Sequence, residues 1–243
     1  MLEKSSYLIR DAMEETARCF LRAYDYLSAA APLLAGSTRE WRERTSTGAM
    51  EALGQALADR WLPEGEGSAQ ERELFAEAYN PHGLVSFLPT LLLNKVACIA
   101  APWGLSPHPL LKRLRDTALD RGIPVLSLYH PLLPNELSHL NFPTLSLSVV
   151  TGPVETPAET VSLQEALSLS QGLSREQAFN RNAHELLLQR AAESLREAKQ
   201  RQDDLEKRYA AAMDFDRWEK ERLRVMETIR GLCPFSPGDD PAP

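Results

Sequence analysis

Nowhere does the chain hold an unbroken apolar run long enough to cross a bilayer. Its longest apolar stretch, residues 84–101, is interrupted by Ser86, Pro89, Thr90, Asn94 and Lys95, short of the ~18 continuous residues of a span. The opening MLEKSSYLIRDAMEE is charged and lacks the apolar centre of a secretion signal. A soluble, cytoplasmic protein without membrane contact is expected. Cysteine is scarce: Cys19, Cys98 and Cys233 lie far apart, with no CxxC and no Cys/His cluster. That spacing offers neither a disulfide framework nor a zinc site, and Cys98, inside an apolar run, reads as a small core residue. Positive charge is in deficit, with 27 Lys and Arg against 34 Asp and Glu. A net charge of −7 argues against a nucleic-acid partner.

What is present falls into zones. Residues 1–62 are rich in Ala, Leu and Arg and predict a helical hairpin broken at 32–37, where Pro, Gly and Ser enter. Residues 63–69, beginning PEGEGS, read as a linker and the best domain boundary. Residues 70–173 have an α/β pattern. Short apolar runs at 95–101 (KVACIAA), 123–129 (IPVLSLY) and 144–150 (TLSLSVV) predict buried parallel strands, with a weaker fourth at 160–163. An amphipathic helix over 110–121, ended by Gly122, joins the first two into a βαβ unit.

Residues 174–232 predict a second helical hairpin. Ala191, Leu195, Ala198, Gln202, Leu205, Tyr209 and Ala212 share one face. Asp214 is placed to cap a following helix whose stripe is Phe215, Trp218, Val225 and Ile229. The tail, 233–243, is rich in Pro and Asp and reads as disordered. An offset of 168 residues sets Ala23, Leu27 and Ala30 on Ala191, Leu195 and Ala198, and Trp41 on Tyr209. The few identities fit either an internal duplication or two unrelated amphipathic helix pairs.

The loop after the first apolar strand is where α/β chemistry is sought. A phosphate loop needs G-x-x-x-x-G-K-[ST]: glycines let N–H groups wrap the phosphates, lysine neutralises their charge, and the hydroxyl holds magnesium. Residues 101–109 read APWGLSPHP. Ala101 and Ser106 stand where the glycines would be, Pro107 where the lysine would be, and His108 where the hydroxyl would be. Only Gly104 suggests a glycine-rich loop, and Pro107 and Pro109 each remove an N–H donor.

The flanks carry a resemblance. LFAEAYNPHGLVSF (74–87), RGIPVLSLYHP (121–131), PNELSH (134–139) and FPTL (142–145) are similar to segments of a bacterial family with two tandem P-loop ATPase-like domains. LREAK (195–199), DLEKRY (204–209) and AMDF (212–215) extend it. The resemblance implies a P-loop NTPase-like parallel sheet flanked by helices, with helical hairpins at both ends. It implies that residues 1–62 match the trailing hairpin of a first copy, which favours duplication. It implies a degenerate phosphate loop in which Gly104, Ser106 and His108 are what remains of a cofactor site, and Thr151 in the place of an acidic residue.

No catalytic residue and no metal ligand set are expected. Mg-ATP would bind only weakly, through the partial positive charge of a helix starting near Pro109. Lys112 and Arg113 read as a solvated helix face. The expected role is that of a structural or interaction module partnered by a protein: an intact P-loop ATPase copy, or the chain itself. Two alternatives stand beside it. One is an ATPase with an atypical phosphate loop; the other is an unrelated enzyme using His108, His130 or Lys112 at the strand ends. His108, His130 and His139 lack the cysteine or acidic partners of a metal set, and Ser106 and Ser127 lack a G-x-S-x-G elbow. Trp103 is expected to fill the vacated phosphate pocket.

Overall fold

A computed structural model describes residues 2–65, 67, 69–170, 172–212 and 214–232. Cys233 and the tail fall outside the described residues. The chain begins with α1 (Leu2–Arg44) and α2 (Thr47–Trp61). The predicted break at 32–37 is absent, because α1 runs through Pro32. A proline inside a helix removes one hydrogen bond and costs ~3 kcal/mol, but Ser28, whose carbonyl loses that donor, faces solvent. The long contact with α6 (Arg175–Ala212) offsets the loss. Ala23, Ala30, Ala191 and Ala198 are all fully buried in that contact. Small side chains at a regular spacing let the two backbones approach. The pairing is antiparallel: Arg22 meets Glu197 at 2.5 Å, His184 Nδ1 donates to the Ala30 carbonyl at 2.9 Å, and Ser174 donates to Glu40 at 2.9 Å.

The α/β part contains β1 (Glu71–Leu74), β2 (Glu77–Asn80), β3 (Gly83–Ser86), α3 (Leu88–Leu91), β4 (Lys95–Ala100), α4 (His108–Asp120) and β5 (Val125–Tyr129). After these come β6 (Leu137–Phe142), β7 (Leu147–Thr151), β8 (Glu159–Ser162) and α5 (Leu163–Ala166). The strand order is β1-β5-β6-β7-β4-β8, with β2 and β3 forming a separate hairpin. The sheet is mixed, not all parallel as expected, since β6 runs antiparallel to both β5 and β7. The reason is chain length. Residues 130–136 are too few for a parallel crossover, which needs about a dozen residues, so the chain folds back directly.

The core lies between one sheet face and the α2–α4 pair. Leu110, Leu111, Leu114 and Ala118 of α4 are fully buried, and they recur on one face as a 3.6-residue period requires. Gly122, at φ 72°, ends α4 in the left-handed region. Ile123 N–H then reaches back to the Ala118 carbonyl at 2.8 Å, as in a Schellman closure. Helix α2 crosses α4 closely, and a Cβ at Gly54 would stand 2.7 Å from the Leu110 carbonyl oxygen. Arg121 locks the end of α2 by donating to the Ala58 and Leu62 carbonyls at 3.2 and 3.0 Å and to Asp59 at 2.6 Å.

The final helix, α7 (Phe215–Leu232), follows α6 and is capped as expected: Arg217 N–H donates to Asp214 Oδ1 at 3.0 Å. The two helix pairs keep one register. The offset of 168 that relates Ala23 to Ala191 also carries the end of α1, Arg44, onto the end of α6, Ala212, and the start of α2, Thr47, onto the start of α7, Phe215. The break between helices therefore falls at the same place in both pairs.

Candidate functional site

The carboxyl ends of β4, β5 and β7 border a crevice, where open α/β sheets place their ligand sites. Its floor is Ala101, Pro102 and residues 104–107, its far wall is His130, Leu133 and residues 136–138 with Thr151 and Gly152, and its lid is Leu34 and Thr38 of α1. The cavity measures about 220 Å³, below the ~300–1,000 Å³ of typical small-molecule sites.

Gly104 and Ser106 line this crevice. Gly104 has φ 81°, and a Cβ there would stand 2.7 Å from the Ser37 Cβ of α1. Its glycine thus admits a helix rather than a phosphate. Ser106 Oγ donates to Glu136 Oε2 at 2.6 Å and accepts from the His108 N–H at 3.3 Å. A serine bound to a carboxylate in this way is not activated by a histidine base.

His108 opens α4 two residues before the start expected at Leu110, with prolines on both sides. Its Nδ1 accepts the Leu137 N–H at 3.0 Å, so that ring nitrogen ties α4 to β6. Burial lowers its pKa, against the opposing pull of Glu136. His130 Nδ1 accepts from the N–H groups of Leu132 and Leu133, and burial lowers its pKa too. His139 Nδ1 accepts the Thr151 N–H at 3.1 Å. The ring is 3% exposed, its Nε2 has no hydrogen-bond partner, and burial brings its pKa down to about 4. All three imidazoles therefore favour the neutral form, with one ring nitrogen spent on the backbone. Among the described residues no group of three His, Cys, Asp or Glu side chains is arranged to hold a metal.

Lys112 and Arg113, expected as a solvated helix face, do not line the crevice. Lys112 is exposed on α4, and Arg113 donates to Gln55 of α2 at 2.8 Å. Among the described residues Glu136 is the one charged side chain lining the crevice, with Arg42 3.8 Å from it on the rim. A phosphate charge brought within ~4 Å of that carboxylate would be repelled by about 4 kcal/mol at an effective dielectric of ~20, less whatever attraction Arg42 supplies.

Trp103 does not fill the crevice, contrary to expectation. Its ring meets His184 of α6 edge-on, with centroids 5.9 Å apart, and its carbonyl accepts the Trp41 indole N–H at 3.0 Å. The loop is thereby fastened to both α1 and α6. Cys98 is buried, and its thiol donates to the Gly152 carbonyl at 2.9 Å.

Sequence reasoning found the loop but missed Glu136, which arrives from the β5–β6 connection. Its only signal was membership of the PNELSH segment. The lid residues Leu34 and Thr38 gave none, because they come from a helix some 65 residues away in sequence. No protein-family model matches the chain, and no curated protein or solved structure matches it either.

Proposed function

We propose that the chain is a P-loop-fold protein that does not hydrolyse nucleotide and acts as an interaction module. Support for the fold comes from order: a strand, β4, lies between two parallel neighbours, β7 and β8, and runs through a loop into α4. The observation that carries the loss of hydrolysis is Glu136. Where triphosphate binding needs several N–H donors and cations, this crevice presents a carboxylate already bound to Ser106, two prolines at the helix start and, among the described residues, no lining cation. Magnesium with three phosphates would have to displace that carboxylate and lift α1. The module reading is supported by the α1–α6 arm, which holds the loop at one end and presents an uncovered helix at the other. Residues 1–62 then stand as the trailing helices of a first copy, and α6–α7 as those of the second.

Calorimetric titration with Mg-ATP tests this. Binding no tighter than about 1 mM, or roughly −4 kcal/mol, is expected. A micromolar Kd, or phosphate release above the level of a protein-free blank, would overturn it.

A further inference from the structure

We infer that α7 is a self-association helix that pairs antiparallel with α7 of a second copy of this chain. The inference rests on the reading of the chain as an interaction module and names its partner. No residue of α7 is buried, and Trp218, Val225, Ile229 and Leu232 are 54%, 55%, 51% and 77% exposed. Its repeat mate shows what such a face is for. The buried α2 residues Met50, Leu57 and Ala58 correspond at the 168 offset to Trp218, Val225 and Met226. The α2 face is sealed on α4; the α7 face has apolar side chains at the same positions and, among the described residues, no cover.

The occupant follows by elimination and by charge. A second copy cannot offer its α4, because its own α2 already lies there. Nor does α7 suit such a helix, since Arg222 stands at the position of Gly54, where even a Cβ meets backbone at 2.7 Å. What a second copy does offer is its own bare α7. Phe215, Trp218, Arg222, Val225, Ile229 and Leu232 recur at alternating steps of three and four, the seam of a helix pair. In one antiparallel register Phe215 lies opposite Leu232 of the second copy, Trp218 opposite its Ile229, and Arg222 opposite its Val225. All six seam positions are then used.

Charge selects that direction. Residues 214–221 carry two net negative charges and residues 222–232 two net positive charges. Antiparallel pairing lays each acidic half on a basic half, whereas parallel pairing lays like on like. The pair is isologous, as a closed dimer requires.

Sedimentation equilibrium on the full chain tests the pairing. The mass should double from 27.2 kDa at about 100 µM and fall on dilution. Val225→Asp should return the monomer, with unchanged helical circular dichroism. Glu219→Lys with Glu221→Lys makes both halves basic and should weaken the dimer at least about tenfold, by loss of the complementary charge. Adding Arg222→Glu and Arg224→Glu reverses both halves and should restore it. A wild-type chain monomeric at that concentration would leave α7 to a different protein and overturn the pairing, as would a dimer indifferent to Val225→Asp. Failure of the four-charge variant to recover would overturn the antiparallel register. Tight Mg-ATP binding would instead sink the non-hydrolysing reading without changing the mass, so the two failures are distinguishable.

Discussion

Helices α2 and α7 each follow a long helix, and their starts lie 168 residues apart, as do the ends of the helices before them. At α2 the chain has Gly54 pressed against α4, Arg121 holding the last carbonyls, and Met50 and Leu57 out of water. At α7 it has Arg222, no described element over the stripe, and Trp218 half exposed. The same contrast marks the long helices: Trp41 is 1% exposed, while Tyr209 at the equivalent position is 39% exposed. Two amphipathic helices at matching offsets thus end differently, one sealed inside and one exposed. Amphipathicity makes a helix seek cover, but the residue at the crossing point, glycine or arginine, decides which cover fits.

The contrast can be broken by paired substitutions. Trp41→Ala should cost ~3–5 kcal/mol, by loss of a large buried ring, while its mate Tyr209→Ala should stay within about 1 kcal/mol. Urea unfolding of dilute protein reads both, and equal costs would dissolve the distinction between sealed and bare ends. Acid should act on the α/β core through His139. His139 titrates near 4 in the folded protein against 6.5 ordinarily, so below pH 6.5 the unfolded chain binds the extra proton. Stability contributed above that pH is lost as pH falls towards 4, by about 3 kcal/mol at most. His139→Leu should flatten this part of the pH profile; an unaltered slope would refute the assignment. At the crossing point Gly54→Ala should cost ~1–3 kcal/mol through forced separation of α2 from α4. Arg222→Ala should change monomer stability by no more than ~0.5 kcal/mol.

Much of the α/β frame was legible from the residues. KVACIA of β4 and the Gly122 stop after α4 are local signals, apolar density and a left-handed residue, that tertiary structure had no reason to override. Strand β6 was not legible. LSHLNF mixes Leu137, Leu140 and Phe142 with Ser138, His139 and Asn141, so it reads as half solvated although all six residues are buried. The helix through Pro32 was missed for the opposite reason, since a local breaker yielded to a long-range partner in α6. At the crevice, Gly104, Ser106 and His108 could be located by their place after β4. The tasks they perform were set by Ser37, Glu136 and Leu137, which no local window contains.

The close approach of Gly104 to Ser37 couples the crevice to the arm as a lever. Whatever spreads the 101–107 loop must push α1 at Ser37, near one end of a 43-residue helix. At ~1.5 Å per residue, about 50 Å of rod lies beyond that point. A tilt of only ~5° at the loop would swing the far end of the rod by roughly 4–5 Å, a geometric consequence of the same helical rise. Occupancy of a small crevice would thus be reported, magnified, at the opposite end of the molecule.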